Sequence, residues 1–252
     1  MIATGGTFLA ILAAAGLAGL FLAVAWAARG PDDTLVVAAL RLVLDGYMRL
    51  YHRLRWTPRE APIPLRGPAI VVANHRSGVD PLALAACTRR RIHFLMAREY
   101  YEQRGLRWLF HLARAIPVNR DGKDLGATKA ALKVLRGGGV IGIFPEGGIR
   151  VEGGPEMDGK AGVGLLALKS GAPVIPAHIS GTPSYDSVFA AVMTPSRSLV
   201  SFGEPMLSAP IEGRKPGREE MEAVARRVLE RVRELGALDG MGANAAPART
   251  LP

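Results

Sequence analysis

Cysteine is almost missing from this chain. Cys87 is the sole thiol in 252 residues, so no intramolecular disulfide can form, and a reducing cytoplasmic setting fits. Charge is missing at the start: no charged residue occurs from Gly5 to Ala28. The first seven residues hold neither Lys nor Arg, whereas secretory signals usually begin with positive charge. Acid is in the minority, 22 Asp and Glu against 32 Lys and Arg, for a net charge of +10. No internal repeat is visible, and no nucleic-acid-binding motif explains the basic excess. The length allows one sizeable α/β domain with an appendage, not two catalytic domains.

The uncharged opening segment can form a helix. About 24 residues would rise roughly 36 Å, enough to cross a hydrocarbon core of about 30 Å. In that case Arg29, Arg41, Arg49, Arg53 and Arg55 hold the rest of the protein on the cytoplasmic side of the cytoplasmic membrane. The basic excess is local. Residues 41–66 carry six Arg against Asp45 and Glu60, and residues 88–120 carry eight Arg against Glu99 and Glu102. These two stretches account for the whole net charge and imply an anionic partner.

Residues 33–56 read as a second, amphipathic helix. Val36, Val37, Leu40, Val43, Leu44, Tyr47, Met48 and Tyr51 recur at helical spacing, with Arg41, Asp45, Arg49 and Arg53 on the other face. Such a helix can lie in a headgroup layer or pack on the globular domain. Prolines from Pro58 to Pro68 then mark a link. The expected organisation is an N-terminal two-helix membrane-anchoring segment (1–57), a catalytic domain (58–238) and a disordered tail (239–252).

After the link, short apolar runs alternate with helical patterns. Strands are expected at Ala69–Ala73, Ile92–Met96, Ala115–Val118, Val140–Phe144, Val174–Ile179 and Leu199–Phe202. Helices are expected near 79–88, 99–113, 123–136, 160–170 and 217–236. The alternation implies an α/β fold with a mixed, largely parallel sheet and helices on both faces. Gly137-Gly138-Gly139 should stop one helix and turn the chain into the next strand.

Chemistry concentrates at strand exits, where open α/β sheets gather ligands. Asn74-His75-Arg76-Ser77-Gly78-Val79-Asp80-Pro81 follows the first apolar run. A neutral imidazole can accept a proton from an alcohol, and a nearby carboxylate can fix its tautomer. Ser77 and Asp80 also read as a capping box. Further on come Ala115-Ile116-Pro117-Val118-Asn119-Arg120, Ile143-Phe144-Pro145-Glu146-Gly147-Gly148-Ile149-Arg150, and Ala172-Pro173-Val174-Ile175-Pro176-Ala177.

Four motifs in this order, between about Pro68 and Thr182, resemble the lysophosphatidic acid acyltransferase family of the glycerophospholipid acyltransferases. The resemblance implies an acyltransferase of phospholipid biosynthesis at a membrane. Its substrates would be a lysophospholipid acceptor and an acyl-CoA or acyl-carrier-protein donor, with no cofactor, metal or nucleic acid. It makes His75 the general base and Asp80 its orienting partner. Arg120 matches the arginine associated with the acceptor phosphate, Glu146 and Gly147 match the acceptor-binding motif, and Pro176 matches the fourth motif. One departure stands out. The family usually continues Glu-Gly-Thr-Arg, whereas here Gly148 replaces the threonine and the arginine falls one place later, at Arg150. Arg150 or Lys160 would then supply the positive charge, and Gly147-Gly148 amides are candidates for holding an oxyanion. Cys87 reads as core and Ser77 as a helix cap, so direct transfer without an acyl-enzyme is expected.

Overall fold

The computed structural model describes residues 14–24, 26, 34–119, 124–145, 159–185 and 187–244. Residues 14–24 are helical (α1) and exposed. No helix among the described residues is long and apolar enough to cross a membrane. The remainder of the uncharged opening segment lies outside the described residues.

Among the described residues seven strands form one sheet: β1 (Arg55–Thr57), β2 (Ala69–Ala73), β3 (Ile92–Ala97), β4 (Ile116–Val118), β5 (Val140–Ile143), β6 (Val174–Ser180) and β7 (Leu199–Phe202). Their order is β1-β7-β6-β2-β5-β3-β4, and only the β6–β7 pair is antiparallel. The expected mixed, largely parallel sheet is therefore present, with each expected strand within a residue of its place. The central strand β2 is fully buried along its length, as expected of a strand covered on both faces.

Side-chain alternation divides the core in two. Ala69, Val71 and Ala73 of β2 face one apolar cluster with Ile175, Ala177 and Ile179 of β6. Ile70 and Val72 face the other, with Ile141 and Ile143 of β5. The first cluster is covered by α2 (Leu35–Leu50), α3 (Asp80–Ala86) and α8 (Val188–Val192). The second is covered by α6 (Leu125–Arg136), α7 (Gly159–Ser170) and α9 (Arg218–Asn244). Helix α6 ends at the glycine run as expected, with Gly137 as C-cap and Gly138 at φ 76°.

Several expectations need correction. The helix expected over 33–56 stops at Leu50, and Arg55–Thr57 instead pairs with β7 as an edge strand. This helix also docks on the domain. Met48 is fully buried and joins the first core with Leu44 and Tyr47, while the Arg41 guanidinium donates to Thr88 O at 2.8 Å. Its apolar set is therefore split, because Val36, Leu40 and Val43 remain exposed on a separate stripe. Periodicity alone could not divide these two apolar faces.

The single helix expected over 99–113 is two short ones, α4 (Arg98–Tyr101) and α5 (Arg107–Leu112), broken beside Gly105 at φ 90°. Helix α9 runs past the expected end at 236 to Asn244, so residues 239–244 are not tail. Asp239 accounts for the extension: its carboxylate accepts from His178 Nδ1 at 2.9 Å and Ser201 Oγ at 2.6 Å. Residues 245–252 lie outside the described residues. Finally, the basic stretch 88–120 is not all surface. Arg90 is buried and donates to the carbonyls of Pro64, Gly67 and Gly138.

Candidate active site

The strand order brings the exits of β2, β5 and β6 side by side, with β2 in the middle. At the β2 exit, Asn74 extends the strand pairing with its side chain. Its Oδ1 accepts from Ile179 N at 2.7 Å and its Nδ2 donates to Ile179 O at 2.9 Å. The amide thus acts as one more rung of the ladder and fixes the direction in which the chain leaves toward His75.

His75 and Asp80 meet as the sequence implies. His75 Nδ1 lies 3.0 Å from Asp80 Oδ2. Because an ionised carboxylate only accepts hydrogen bonds, this pairing assigns the proton to Nδ1. It leaves Nε2 as the basic nitrogen, and the His75 side chain stays 15% exposed. The Asp80 side chain is only 1% exposed, yet it is well satisfied. Its Oδ2 also accepts from Arg76 N at 2.7 Å and Ser77 N at 2.8 Å, and its Oδ1 accepts from Thr182 Oγ at 2.8 Å.

The capping-box reading of Ser77 holds in part. Val79 is the N-cap of α3 and makes no side-chain cap bond, while Asp80 is the first helical residue. Ser77 is fully buried, and its Oγ accepts from Val79 N at 3.2 Å. Ser77 N donates to Asp80 Oδ2 at 2.8 Å, which is one half of a capping box, but Ser77 Oγ takes Val79 N rather than Asp80 N, so the box does not close.

One face of the imidazole is covered by an aromatic stack. The Phe144 ring lies 4.3 Å from His75 at 21°, and the Phe94 ring lies 5.7 Å from Phe144 at 7°. Gly142 makes room for this arrangement. A Cβ there would sit 2.5 Å from Phe94 Cδ1 and 2.7 Å from Ile92 Cγ2. An unbranched backbone in β5 thus lets Phe94 support Phe144, which supports His75.

The remaining expected site residues are placed only in part. Arg120, Glu146, Gly147, Gly148 and Arg150 lie outside the described residues, and Lys160 falls in the first turn of α7, its side chain outside them too. The residues flanking Arg120 are tied together: Asp124 accepts from Asn119 N at 2.9 Å and caps α6 through Ala127 N at 2.9 Å. These backbone bonds hold the Asp124 carboxyl below its usual pKa. Arg98 Nε donates to Asn119 Oδ1 at 2.5 Å, so the β3 exit joins the same junction. Pro176 is interior to β6, and its carbonyl accepts from Gly203 N at 2.8 Å, a structural place. Cys87 is core as expected. It is buried, its thiol donates to Ala83 O at 3.2 Å, and burial pushes its pKa up.

Sequence reasoning missed Thr182, Asn74 as a brace, and the Gly142–Phe94–Phe144 stack. Phe144 stood inside a motif already singled out. Thr182 carried no signal, since its role depends on β6 lying beside β2.

The family model described as Acyltransferase matches residues 55–180, half of the chain. The chain is 24% identical over 200 residues to the 1-acyl-sn-glycerol-3-phosphate acyltransferase of Bacillus subtilis (strain 168), covering 78% of this chain and 93% of that protein. It is 26% identical over 161 residues to the protein of the same name from Streptococcus pneumoniae (strain ATCC BAA-255 / R6), covering 63% and 57%. Among solved structures, it is similar to the 1-acyl-sn-glycerophosphate (LPA) acyltransferase PlsC from Thermotoga maritima. That match has a TM-score of 0.60 at 20% identity, covering 94% of this chain and 90% of that one. At this identity the likeness is one of fold.

Gly142→Ala should destabilise the fold by about 1–3 kcal/mol through overpacking and lower turnover by displacing the stack behind His75. Phe94→Leu added to it relieves the clash with the ring but not that with Ile92 Cγ2, and should recover part of the melting temperature. Thermal unfolding and initial rates of the two variants check this. A Gly142→Ala protein with unchanged melting and turnover would show that the stack is slack.

Proposed function

The chain belongs to the acyltransferase family, and from that premise we propose that it transfers a fatty-acyl group from a thioester donor to the free hydroxyl of lysophosphatidic acid, giving phosphatidic acid. The observation that carries this reading is the His75–Asp80 pair. Its carboxylate accepts from the His75 ring, two backbone amides and Thr182, and the His75 side chain is partly exposed at the exit of β2. The names of the similar curated proteins support the choice of acceptor.

The chemistry follows from that geometry. His75 Nε2 takes the proton of the acceptor hydroxyl as its oxygen attacks the thioester carbonyl. Asp80 keeps Nδ1 protonated and stabilises the imidazolium that forms. The tetrahedral intermediate collapses and expels the donor thiol as a thiolate, a good leaving group with a conjugate acid of pKa about 8.5. The imidazolium can return the proton to it. General-base assistance of this kind is worth a factor of about 100 to 10,000, or roughly 3–5 kcal/mol. No acyl-enzyme is needed. Cys87 is buried, and the Ser77 hydroxyl is buried against Val79 N rather than directed at His75. The donor is an acyl-CoA or an acyl-carrier protein, since the same step serves both.

Arg120 is assigned to the acceptor phosphate, which a guanidinium can hold through paired, charge-assisted bonds. The altered third motif favours a second reading within the same chemistry. With Gly148 where the family has threonine, and with the arginine shifted to Arg150, that second reading is transfer to a different lysolipid acceptor. Arg120→Lys should raise the KM for lysophosphatidic acid while leaving the donor KM nearly unchanged. Arg120→Ala should do more, by up to about 3 kcal/mol for a charged hydrogen bond. Steady-state kinetics with lysophosphatidic acid and a phosphate-free lysolipid test this. Equal losses on both acceptors would remove the phosphate assignment.

We further propose that the enzyme works at the cytoplasmic membrane with its catalytic domain on the cytoplasmic side. Residues 1–33, together with the exposed stripe Val36, Leu40 and Val43 of α2, would supply the attachment. Exposed Trp108 and Leu109 on the arginine-bearing α5 are further apolar contacts, in keeping with an interfacial surface. Because α2 and β1 belong to the folded domain, the informative truncation removes only residues 1–33. That fragment should float with liposomes less well than the full chain, and equal flotation would place the attachment in the folded domain alone.

A further inference from the structure

At the far edge of the sheet, α2 ends and the chain reverses into β1. Arg53 makes this reversal at φ 44°, in the left-handed region, which costs a residue with a Cβ about 1–2 kcal/mol. Backbone bonds hold the turn: Leu54 N donates to Met48 O at 2.9 Å, Ser198 N to His52 O at 3.0 Å, and Arg55 N to Ser198 O at 2.9 Å. Beneath it, fully buried His52 bridges the Tyr47 hydroxyl and Ser196 Oγ, each at 2.8 Å. The turn leaves an open cavity of about 480 Å³ lined by Leu50, Tyr51, Arg53, Pro195, Ser196 and Arg197.

The lining of this cavity is cationic. Among the described residues, neither Arg53 nor Arg197 has a carboxylate partner. The segments 46–59 and 187–203 that form it hold Arg49, Arg53, Arg55, Arg59 and Arg197 and no Asp or Glu, while Asp45, Glu60, Asp186 and Glu204 flank them and Asp45 stands beside Arg49. The wall beside the arginines is apolar, with Leu50 83% exposed.

We propose that this groove binds a phosphate-bearing anion, with Arg53 and Arg197 on the phosphate and Leu50, Tyr51 and Pro195 against an adjoining apolar part. Guanidinium groups suit phosphate oxygens, and a strained backbone that presents one of them is a feature found at ligand sites. The groove shares an edge with the catalytic pair. Arg55, Leu199 and Ser180 stand in one row across β1, β7 and β6. β2 lies one strand beyond β6, so the span from β1 is about 14 Å. The two places are also joined through the chain. Gly181 fits against Arg197 O so closely that a Cβ would sit 2.1 Å from it, and the next residue, Thr182, donates to Asp80. The site is distinct from the acceptor-phosphate position assigned to Arg120. It rests on the proposed function only in expecting a lipid surface nearby, and binding is read without turnover, so the two can fail separately.

The test uses the full chain and two sources of phosphate. Sedimentation with phosphatidylcholine vesicles, with and without phosphatidylglycerol, reads a lipid headgroup, and calorimetry with inorganic phosphate reads the free anion. Arg53→Asn tolerates the left-handed turn, and Arg197→Gln leaves that turn untouched. Each should weaken binding to the anionic vesicles about fivefold, and the pair about 25-fold, with binding to pure phosphatidylcholine unchanged. Arg226→Gln/Arg227→Gln, an equal charge change on exposed α9 residues, should leave both unchanged. Arginine-dependent heat with inorganic phosphate would support the site with the free anion as ligand. Wild-type binding by the groove variants in both assays, or an equal loss in the α9 control, would overturn the proposal.

Discussion

A carboxylate taken out of water costs several kcal/mol unless its environment replaces the lost hydration. Asp80 meets that constraint with donors from three parts of the chain: the His75 ring, the amides of Arg76 and Ser77, and the Thr182 hydroxyl beyond β6. Removing the carboxylate would leave two backbone N–H groups and a hydroxyl without their acceptor, at about 1–3 kcal/mol for each that stays buried. The same interaction therefore shapes the β2 exit, ties β6 to it and sets the histidine tautomer. On the proposed mechanism, folding and catalysis depend on the same buried charge.

The sheet makes this arrangement possible by setting β2 between β5 and β6. β6 contributes Thr182 to the back of the pair, and β5 contributes Phe144 to the face of the imidazole. The apolar ring keeps that face dry without competing for a proton, so Nε2 remains available to an incoming hydroxyl. On one side of this centre Arg98 pairs with Glu102 and stands near Asp124, and on the other lies the Arg53–Arg197 groove.

Much of this was legible in the amino-acid sequence, for identifiable reasons. β2 reads as a strand because Ala69–Ala73 is a short, continuous apolar run, which only a strand covered on both faces requires. His75 and Asp80 stand close enough in sequence for their meeting to be local. Thr182 was not legible because its contact spans 102 positions and follows from strand order. β1 was hidden because Arg55-Trp56-Thr57 is too short and mixed to show alternation, and because the preceding helical pattern seemed to continue through it. The extension of α9 was hidden for a similar reason. Ala237 to Asn244 offers little to bury, but Asp239 finds polar partners on β6 and β7. Residues of the third motif, from Glu146 to Arg150, remain known by their sequence alone.

The central claim is that Asp80 acts through His75, and a double-mutant cycle in acyl transfer tests it most directly. His75→Ala, Asp80→Asn and the double variant are compared by kcat/KM, with melting curves confirming that each is folded. If the two side chains work as a unit, Asp80→Asn will cost a large factor in the native background and little further once His75 is gone. Losses that simply multiply would mean that the two residues act independently, contradicting a base held and oriented by its carboxylate.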